Sequence, residues 1–115
     1  MKLPFADRAI VPERKVTAYL LSATHPTGRH KAAWLTKYGF AVEGWEALAG
    51  ALKRHADMHE VVRTEDSLFG MRYVIEGPLE TPDGRNPRAR SVWFMESGES
   101  VPHFVTMYPL RRDAP

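Results

Sequence analysis

The sequence predicts an α+β domain, in which two or three N-terminal helices pack on a four-stranded antiparallel sheet. Apolar residues recur with the helical period of about 3.6 over residues 12–58, and the period changes to two over residues 59–109. Helices followed by a run of strands favour separate helical and sheet layers over alternating βαβ units. We therefore expect a single domain over residues 1–115, with an extended lead-in at 1–11 and a tail at 110–115.

The helical part divides at its proline and glycine residues. Pro12 suits the first turn of a helix, because its missing N–H would have no partner there. Gly39 suits the left-handed position that ends a helix. Trp45, Leu48 and Leu52 then form an apolar stripe at helical spacing. Helices are therefore predicted at about residues 12–22, 28–38 and 43–58.

Turn residues divide the second half into strands. Tyr73 and Ile75 are two residues apart and are expected on one face of the sheet. The run Thr-Pro-Asp-Gly at Thr81–Gly84 is a strong turn signal. Pro102 lacks a backbone N–H, so it is expected at an edge or a bulge near the start of the last strand. The strands are predicted at about residues 59–64, 70–79, 88–96 and 101–108.

The composition excludes several classes of protein. With 43% apolar and 26% charged residues, the chain has the balance of an ordinary globular domain. No stretch reaches the roughly 18 apolar residues that span a membrane, so no membrane partner is expected. The absence of cysteine excludes disulfides and thiolate metal sites and fits a reducing, cytoplasmic compartment. The dinucleotide, phosphate-loop and serine-hydrolase glycine motifs are absent, so no cofactor is expected.

Positive charge is concentrated locally rather than over the whole chain. Lys and Arg number 16 against 14 Asp and Glu, a net charge of +2, which by itself does not indicate a nucleic-acid-binding protein. A solvated strand face is one explanation of the arginines in the predicted hairpin, and phosphate contacts are the other. The basic clusters are Arg85, Arg88 and Arg90 in that hairpin, Arg29 and Lys31 beside His30, and Arg111 with Arg112.

The segment Thr24–Lys31 carries the densest group of reactive side chains. A histidine titrates near neutral pH and serves as an acid or a base, so His30 is a candidate for proton transfer. Arg29 and Lys31 are suited to phosphate contacts, and a helix that opens at Gly28 presents free N–H groups to an anion. The alternative is a capped helix start with solvated basic residues.

The last predicted strand ends with Thr106 and Tyr108, whose side chains share one face because they are two residues apart. If the fold brings them together with His30 and Arg90 in one concave site, the result suits a phosphate ester. The competing interpretation is a half-buried strand of residues with high β-propensity.

Two other constellations are explained better by exposure or packing. His55 and His59 have the i, i+4 spacing of zinc ligands, but the Glu that zinc hydrolases carry between such histidines is missing, so no metal site is expected. Three tryptophans offer stacking surfaces for bases. Core packing explains at least two of them, because Trp45 belongs to an apolar stripe and Trp93 to a buried strand. For Trp34, core packing and base stacking both remain as explanations.

Several short motifs are distributed over residues 7–109. They are Tyr19-Leu20-Leu21, His25-Pro26-x-Gly28-Arg29-His30-Lys31-Ala32, Gly39-Phe40 with Trp45, Tyr73-x-x-Glu76-Gly77-Pro78-Leu79, Val92-Trp93 and Val105-Thr106-Met107-Tyr108-Pro109. Together they resemble an uncharacterised bacterial domain family. That family is similar in layout to the barnase, EndoU, colicin and RelE-like ribonuclease toxins, which place helices before a four-stranded antiparallel sheet.

The resemblance implies roles for individual residues. EndoU-type domains use two histidines and a lysine, and the second histidine here would be His25 or His103. The residues implied at the catalytic site are His30 as acid or base, Lys31 as a second basic catalyst, and Thr106 with Tyr108 beside the substrate.

The first hypothesis of function is therefore a metal-independent endoribonuclease of the bacterial toxin type. His30 would take the proton of a ribose 2′-OH, which attacks the phosphorus and gives a 2′,3′-cyclic phosphate, while Lys31, with Arg90 or Arg72, stabilises the phosphoryl charge. Another histidine or Tyr108 would protonate or orient the 5′-leaving oxygen. Such a toxin implies an acidic antitoxin or immunity partner. The alternatives are a non-enzymatic RNA- or protein-binding module and a small protein that forms a homodimer through an edge strand. The substrate-binding candidates are His25, Arg29 and Arg72.

Overall fold

Helices and strands are segregated along the chain, as predicted, in a computed structural model that describes residues 1–110. Arg111, Arg112 and most of the predicted tail lie outside the described residues. The helices are α1 (Glu13–Lys15, continued by a π-helical turn at Val16–Leu20), α2 (Arg29–Lys37) and α3 (Trp45–Met58). No helix within residues 1–110 is long and apolar enough to cross a membrane. The strands are β1 (Val61–Asp66), β2 (Gly70–Pro78), β3 (Arg88–Glu96) and β4 (His103–Pro109).

The strands form one antiparallel sheet in the order β1-β2-β3-β4, so each strand pairs with its neighbour in sequence. The edge strand β4 begins at His103 rather than at 101, because Pro102 has no N–H to donate. Ile10 of the lead-in bridges to His103 at this edge. The strand β1 begins at Val61 rather than at 59, because the N–H of His59 still donates to the His55 carbonyl at the end of α3.

One face of the sheet carries the core, which includes Tyr73, Ile75 and the fully buried Trp93. The strand β4 contains one extra residue, Val105, opposite the step from Val92 to Trp93. Phe104 therefore packs on Trp93 in the core, with ring centroids 5.4 Å apart, whereas the next residue but one, Thr106, pairs with Val92 on the opposite face.

The one histidine of the core, His55, has partners for both ring nitrogens. The carbonyls of Gly77 and Ala89 accept from Nε2 over 3.0 Å, so Nδ1 accepts from the Ser91 hydroxyl over 2.8 Å. The Trp93 indole N–H donates in turn to that hydroxyl over 2.9 Å. This arrangement satisfies a neutral imidazole, and His55 is therefore part of the core rather than a metal ligand.

We expect the protein to lose stability as the pH falls below about 6.5. Burial lowers the pKa of His55 more than its carbonyl partners raise it, so the unfolded chain binds a proton at a pH at which the native chain does not. Stability from this group is complete above the unfolded pKa and disappears as the pH falls through the lower native pKa. Urea unfolding between pH 7.5 and 5 measures how the free energy of unfolding changes with pH. This dependence should be weaker in His55→Gln, and an unchanged dependence in that variant contradicts the assignment. His59→Gln, on the same helix end, should retain it.

Candidate active site

The first turn of α2 delivers a lysine to two hydroxyl groups. The Lys31 Nζ donates to the Tyr19 phenol over 2.5 Å and to the Thr106 Oγ1 over 2.8 Å, and the two oxygens are 2.9 Å apart. These groups come from the π-helical turn, from α2 and from β4. Three distant parts of the sequence thus converge on one ammonium group.

Tyr108 completes this arrangement. Its ring centre lies 4.2 Å from the Lys31 Nζ, within the range of a cation–π contact. Thr106 is 7% exposed and Tyr108 is 44% exposed, so the ammonium contacts a buried hydroxyl and the ring of an accessible tyrosine. We call Tyr19, Lys31, Thr106 and Tyr108 the Lys31 cluster.

A glycine makes this convergence sterically feasible. A Cβ on Gly28 would lie 2.1 Å from the Tyr19 carbonyl oxygen, so only glycine lets the start of α2 pack this closely on the π-helical turn. The turn itself is defined by the N–H of Leu21, which donates to the Val16 carbonyl over 2.8 Å. Such π-turns inside helices often accompany functional sites.

The Tyr19 phenol has an altered acidity. Partial burial disfavours its ionised form, but the hydrogen bonds from Lys31 and Thr106 and the charges of Lys31 and Lys15 outweigh burial, so the pKa of Tyr19 lies below its usual value of 10.0. Tyr19 therefore loses its proton more readily than an exposed tyrosine does, which suits it to proton transfer.

His25 packs against Tyr19, with ring centroids 5.0 Å apart. Its Nδ1 accepts from the backbone N–H groups of Thr27 and Gly28 over 3.1 and 3.0 Å. Because Nδ1 is an acceptor, the proton of the neutral ring is on Nε2. In this tautomer, Nε2 can donate a hydrogen bond but cannot accept a proton.

A cleft of about 770 Å³ opens beside these groups. Its basic side chains are Arg14, Lys15 and His25, and Lys15 also donates to the Val105 carbonyl over 3.1 Å at the edge of β4. No carboxylate is among the lining residues, so the cleft favours an anion. This basic cleft is lined by Pro12, Arg14, Lys15, Ala18, Tyr19, His25, Thr27, Val105 and Thr106.

Arg90 places a cationic side chain on the sheet beside Tyr108. It lies opposite Tyr108 in the pairing of β3 with β4 and opposite Glu76 in the pairing of β2 with β3. Its guanidinium forms an ion pair with the Glu76 carboxylate over 2.6 Å. Glu76, Arg90 and Tyr108 thus form a row across three strands, in which the carboxylate fixes the guanidinium next to the phenol.

The other predicted site residues lie apart from the Lys31 cluster. His30 is exposed and, with Arg29, lines a separate shallow depression on the outer side of α2. Successive residues of an α-helix are separated by about 100°, so Lys31 reaches the cluster while His30 turns away. Arg72 is on β2, two strands from β4, and pairs with Glu65 over 3.7 Å. His103 lies at the start of β4 and is exposed.

Tyr19 and Glu76 occur in the sequence motifs but were given no functional role there, and neither were Arg14 and Lys15 of the basic cleft. Val16, Tyr19 and Leu20 are spaced i, i+3 and i+4, so the spacing predicts Tyr19 in an apolar helix stripe that faces the core. Glu76 follows a detectable rule, since it alternates with the core residues Tyr73 and Ile75 along β2 and must face the side of the sheet on which Arg90 lies. Among residues 1–110, no group of three or more His, Asp or Glu side chains is arranged to hold a metal ion.

Similarity in structure supports the fold independently. The chain superposes with a TM-score of 0.71 on a chain from the solved contact-dependent growth inhibition toxin–immunity protein complex of Klebsiella pneumoniae 342. The two are 18% identical, and the match covers 88% of this chain and 99% of the other. At this identity the likeness shows a common fold. No curated protein matches the chain significantly.

A family model provides the remaining comparison. The model of a domain of unknown function, DUF6883, matches residues 2–111, which is nearly the whole sequence. The match includes every member of the Lys31 cluster and the whole basic cleft. The chain therefore belongs to the DUF6883 family.

Proposed function

We propose that this chain is the toxic domain of a toxin–immunity pair and that it is a metal-independent endoribonuclease. The observation that carries the proposal is the Lys31 ammonium, which contacts the Tyr19 and Thr106 hydroxyls and the Tyr108 ring. Tyr19 and Thr106 also line the basic cleft. A phosphodiester next to this ammonium would meet positive charge and the phenols of Tyr19 and Tyr108.

The reaction follows from these groups. The Tyr19 phenolate takes the proton of a ribose 2′-OH, and the 2′-oxygen forms a bond to the adjacent phosphorus. The bond from phosphorus to the 5′-oxygen breaks, and the Tyr108 phenol gives its proton to that leaving oxygen. The products are a 2′,3′-cyclic phosphate and a 5′-hydroxyl, and the tyrosines return to their starting forms by proton exchange with water.

Lys31 serves both phenols. Its charge stabilises whichever tyrosine is ionised and also the negative charge that builds up on the phosphoryl oxygens. The Nε2–H of His25 donates to a phosphoryl oxygen, and Arg90, held by Glu76, contacts the neighbouring phosphate. This scheme gives His30 no part in proton transfer and makes it a test residue.

The toxin role takes its support from the fold. The structure that this chain resembles was solved as a toxin–immunity protein complex, and an RNA-cleaving domain must be blocked in the cell that makes it. A basic cleft is covered most effectively by an acidic surface. We therefore propose an acidic immunity partner and action on RNA in the cytoplasm.

The proposal is tested by incubating the purified chain with a mixed-sequence RNA in the presence of EDTA. We expect fragments that end in 2′,3′-cyclic phosphate, and equal cleavage by His30→Ala. Loss of activity in His30→Ala with full activity in Tyr19→Phe would return the acid–base role to His30. Intact RNA after incubation with the folded wild-type chain would contradict the proposal.

One observation favours a second candidate, a non-enzymatic RNA-binding module. The Lys31 Nζ already has two hydroxyl acceptors and an aromatic ring within the protein, which is also the environment of a purely structural ammonium. Binding of RNA without cleavage would favour this module. A homodimer through a sheet edge would use residues 62–66 of β1, because Ile10 and Lys15 already contact β4 and the Met1 carbonyl already accepts from the N–H of Val61.

A further inference from the structure

A second groove of about 530 Å³ lies between α2 and the connection from β2 to β3. Its aromatic residues are Trp34 and Tyr38, and its cationic residues are Arg85 and Arg88. No Asp or Glu is among the lining residues. We call it the aromatic groove.

The aromatic groove continues from the Lys31 cluster along one side of α2. Lys31, Trp34 and Tyr38 are spaced i, i+3 and i+7, so they follow one another on the same helix face. At about 1.5 Å per residue, Trp34 lies roughly 4.5 Å and Tyr38 roughly 10 Å beyond Lys31 along the helix axis. A single strand bound at the Lys31 cluster would thus reach the groove with its next nucleotides.

The groove offers one partly exposed tryptophan, which also packs against the core, and one cation without an ion-pair partner. The guanidinium of Arg85 covers the Tyr38 ring at 4.4 Å and pairs with Asp83 over 2.6 Å. Trp34 is half-buried and tilted against Tyr38, with ring centroids 4.8 Å apart. Arg88 forms no ion pair with any carboxylate in the part of the chain described by the structure. The available chemistry is therefore a stacking surface next to a positive charge.

The walls of the groove are fixed by hydrogen bonds. Asn86 has a left-handed backbone, with φ of 50°, and its side-chain oxygen accepts from the Thr81 N–H over 2.9 Å. Its own N–H donates to the Thr81 hydroxyl over 3.1 Å. Arg85 ties this loop to α2 by donating to the Lys37 carbonyl over 2.8 Å. The groove is formed in the free protein and does not need a ligand to assemble it.

We propose that the aromatic groove is a subsite for an RNA nucleotide beyond the two that flank the cleaved phosphate. The base stacks on Trp34, and the phosphate accepts hydrogen bonds from Arg88. The inference rests on the proposed function for the choice of RNA as ligand. An acidic protein partner fits less well, because it would need several unpaired cations. Of the two arginines in the groove, Arg85 is already paired with Asp83, and only Arg88 is without a carboxylate partner in the described residues.

The test compares a dinucleotide, which spans only the Lys31 cluster, with a pentanucleotide that reaches the aromatic groove. We expect Trp34→Leu and Arg88→Gln to lower kcat/KM for the pentanucleotide by about tenfold, as for one stacked base or one phosphate contact, and to leave cleavage of the dinucleotide unchanged. The matched controls Trp45→Leu and Arg63→Gln should cleave both substrates like the wild type. Equal losses on both substrates, or no loss on either, would overturn the subsite.

A binding arm separates this inference from the proposed function. Fluorescence anisotropy with a labelled 2′-O-methyl pentanucleotide, which cannot be cleaved, measures the groove whether or not the protein is an enzyme. We expect the affinity to fall about tenfold in Trp34→Leu and to stay constant in Trp45→Leu. Equal affinity in both variants overturns the subsite, as does equally good competition by poly-glutamate, which would identify a site for acidic protein surfaces.

Discussion

Lys31→Met should lower the rate of RNA cleavage by about a hundredfold or more, with the fold intact. Methionine keeps most of the aliphatic stem but removes the charge that supports both phenols and the developing phosphoryl charge, and one such donor is typically worth about 10²–10³ in rate. Single-turnover cleavage of a defined oligonucleotide measures the loss. Growth of cells expressing the variant should recover in parallel, if cleavage is the cause of toxicity.

The control for this variant lies on the same helix. Lys37 is exposed, and its Nζ lies 5.9 Å from the Tyr38 ring rather than near the Lys31 cluster. Lys37→Met therefore removes the same charge from α2 without altering the cluster, and it should cleave like the wild type. Equal activity of the two variants, with matching thermal unfolding, would refute the central role of Lys31.

Tyr19→Phe should lower the rate by about 10²–10⁴, the usual contribution of a general base. A base acts in its deprotonated form, so the wild-type rate should rise with pH and level off near the Tyr19 pKa, which is lowered from 10.0. In the variant, the rate should be lower and should no longer show this rise with pH. The measurement is kcat/KM between pH 5 and 10 for both proteins.

A tyrosine elsewhere in the fold provides the control for the pH profile. Tyr73 is buried in the core, on the other face of the sheet from Arg90. Tyr73→Phe should therefore retain both the rate of the wild type and its rise with pH. A profile centred near pH 6.5 in the wild type would indicate a histidine as the base instead. If that histidine were His25, its ring proton would have to move from Nε2 to Nδ1. Nδ1 could then no longer accept from the N–H groups of Thr27 and Gly28.

Much of the fold can be read from local patterns. The change of period near residue 59 separates helices from strands, and the turn at Thr81–Gly84 joins β2 to β3 where the sequence predicts. Thr106 and Tyr108 share a sheet face because alternation along a strand is a local property. The irregularities required more than local pattern: neither the π-helical turn nor the extra residue Val105 has a signal in hydrophobic periodicity.

The site depended on how the elements dock. Sequence placed His30 and Lys31 side by side, but a helix separates neighbours by about 100°, and only the packing of α2 decides which one faces β4. The close approach at Gly28 and the π-helical turn together bring Tyr19 to Lys31. These are contacts between segments far apart in the chain, and no local pattern records them.

The sequence by itself determined the α+β class, the order of the elements, and the common face of Thr106 and Tyr108. Each of these depends on periodicity or turn chemistry, which act over a few residues. The tertiary structure alone decided that a lysine rather than a histidine meets that strand, and that Tyr19 joins them. The physical reason is that side-chain proximity between α1, α2 and β4 is set by the packing of whole elements against one core.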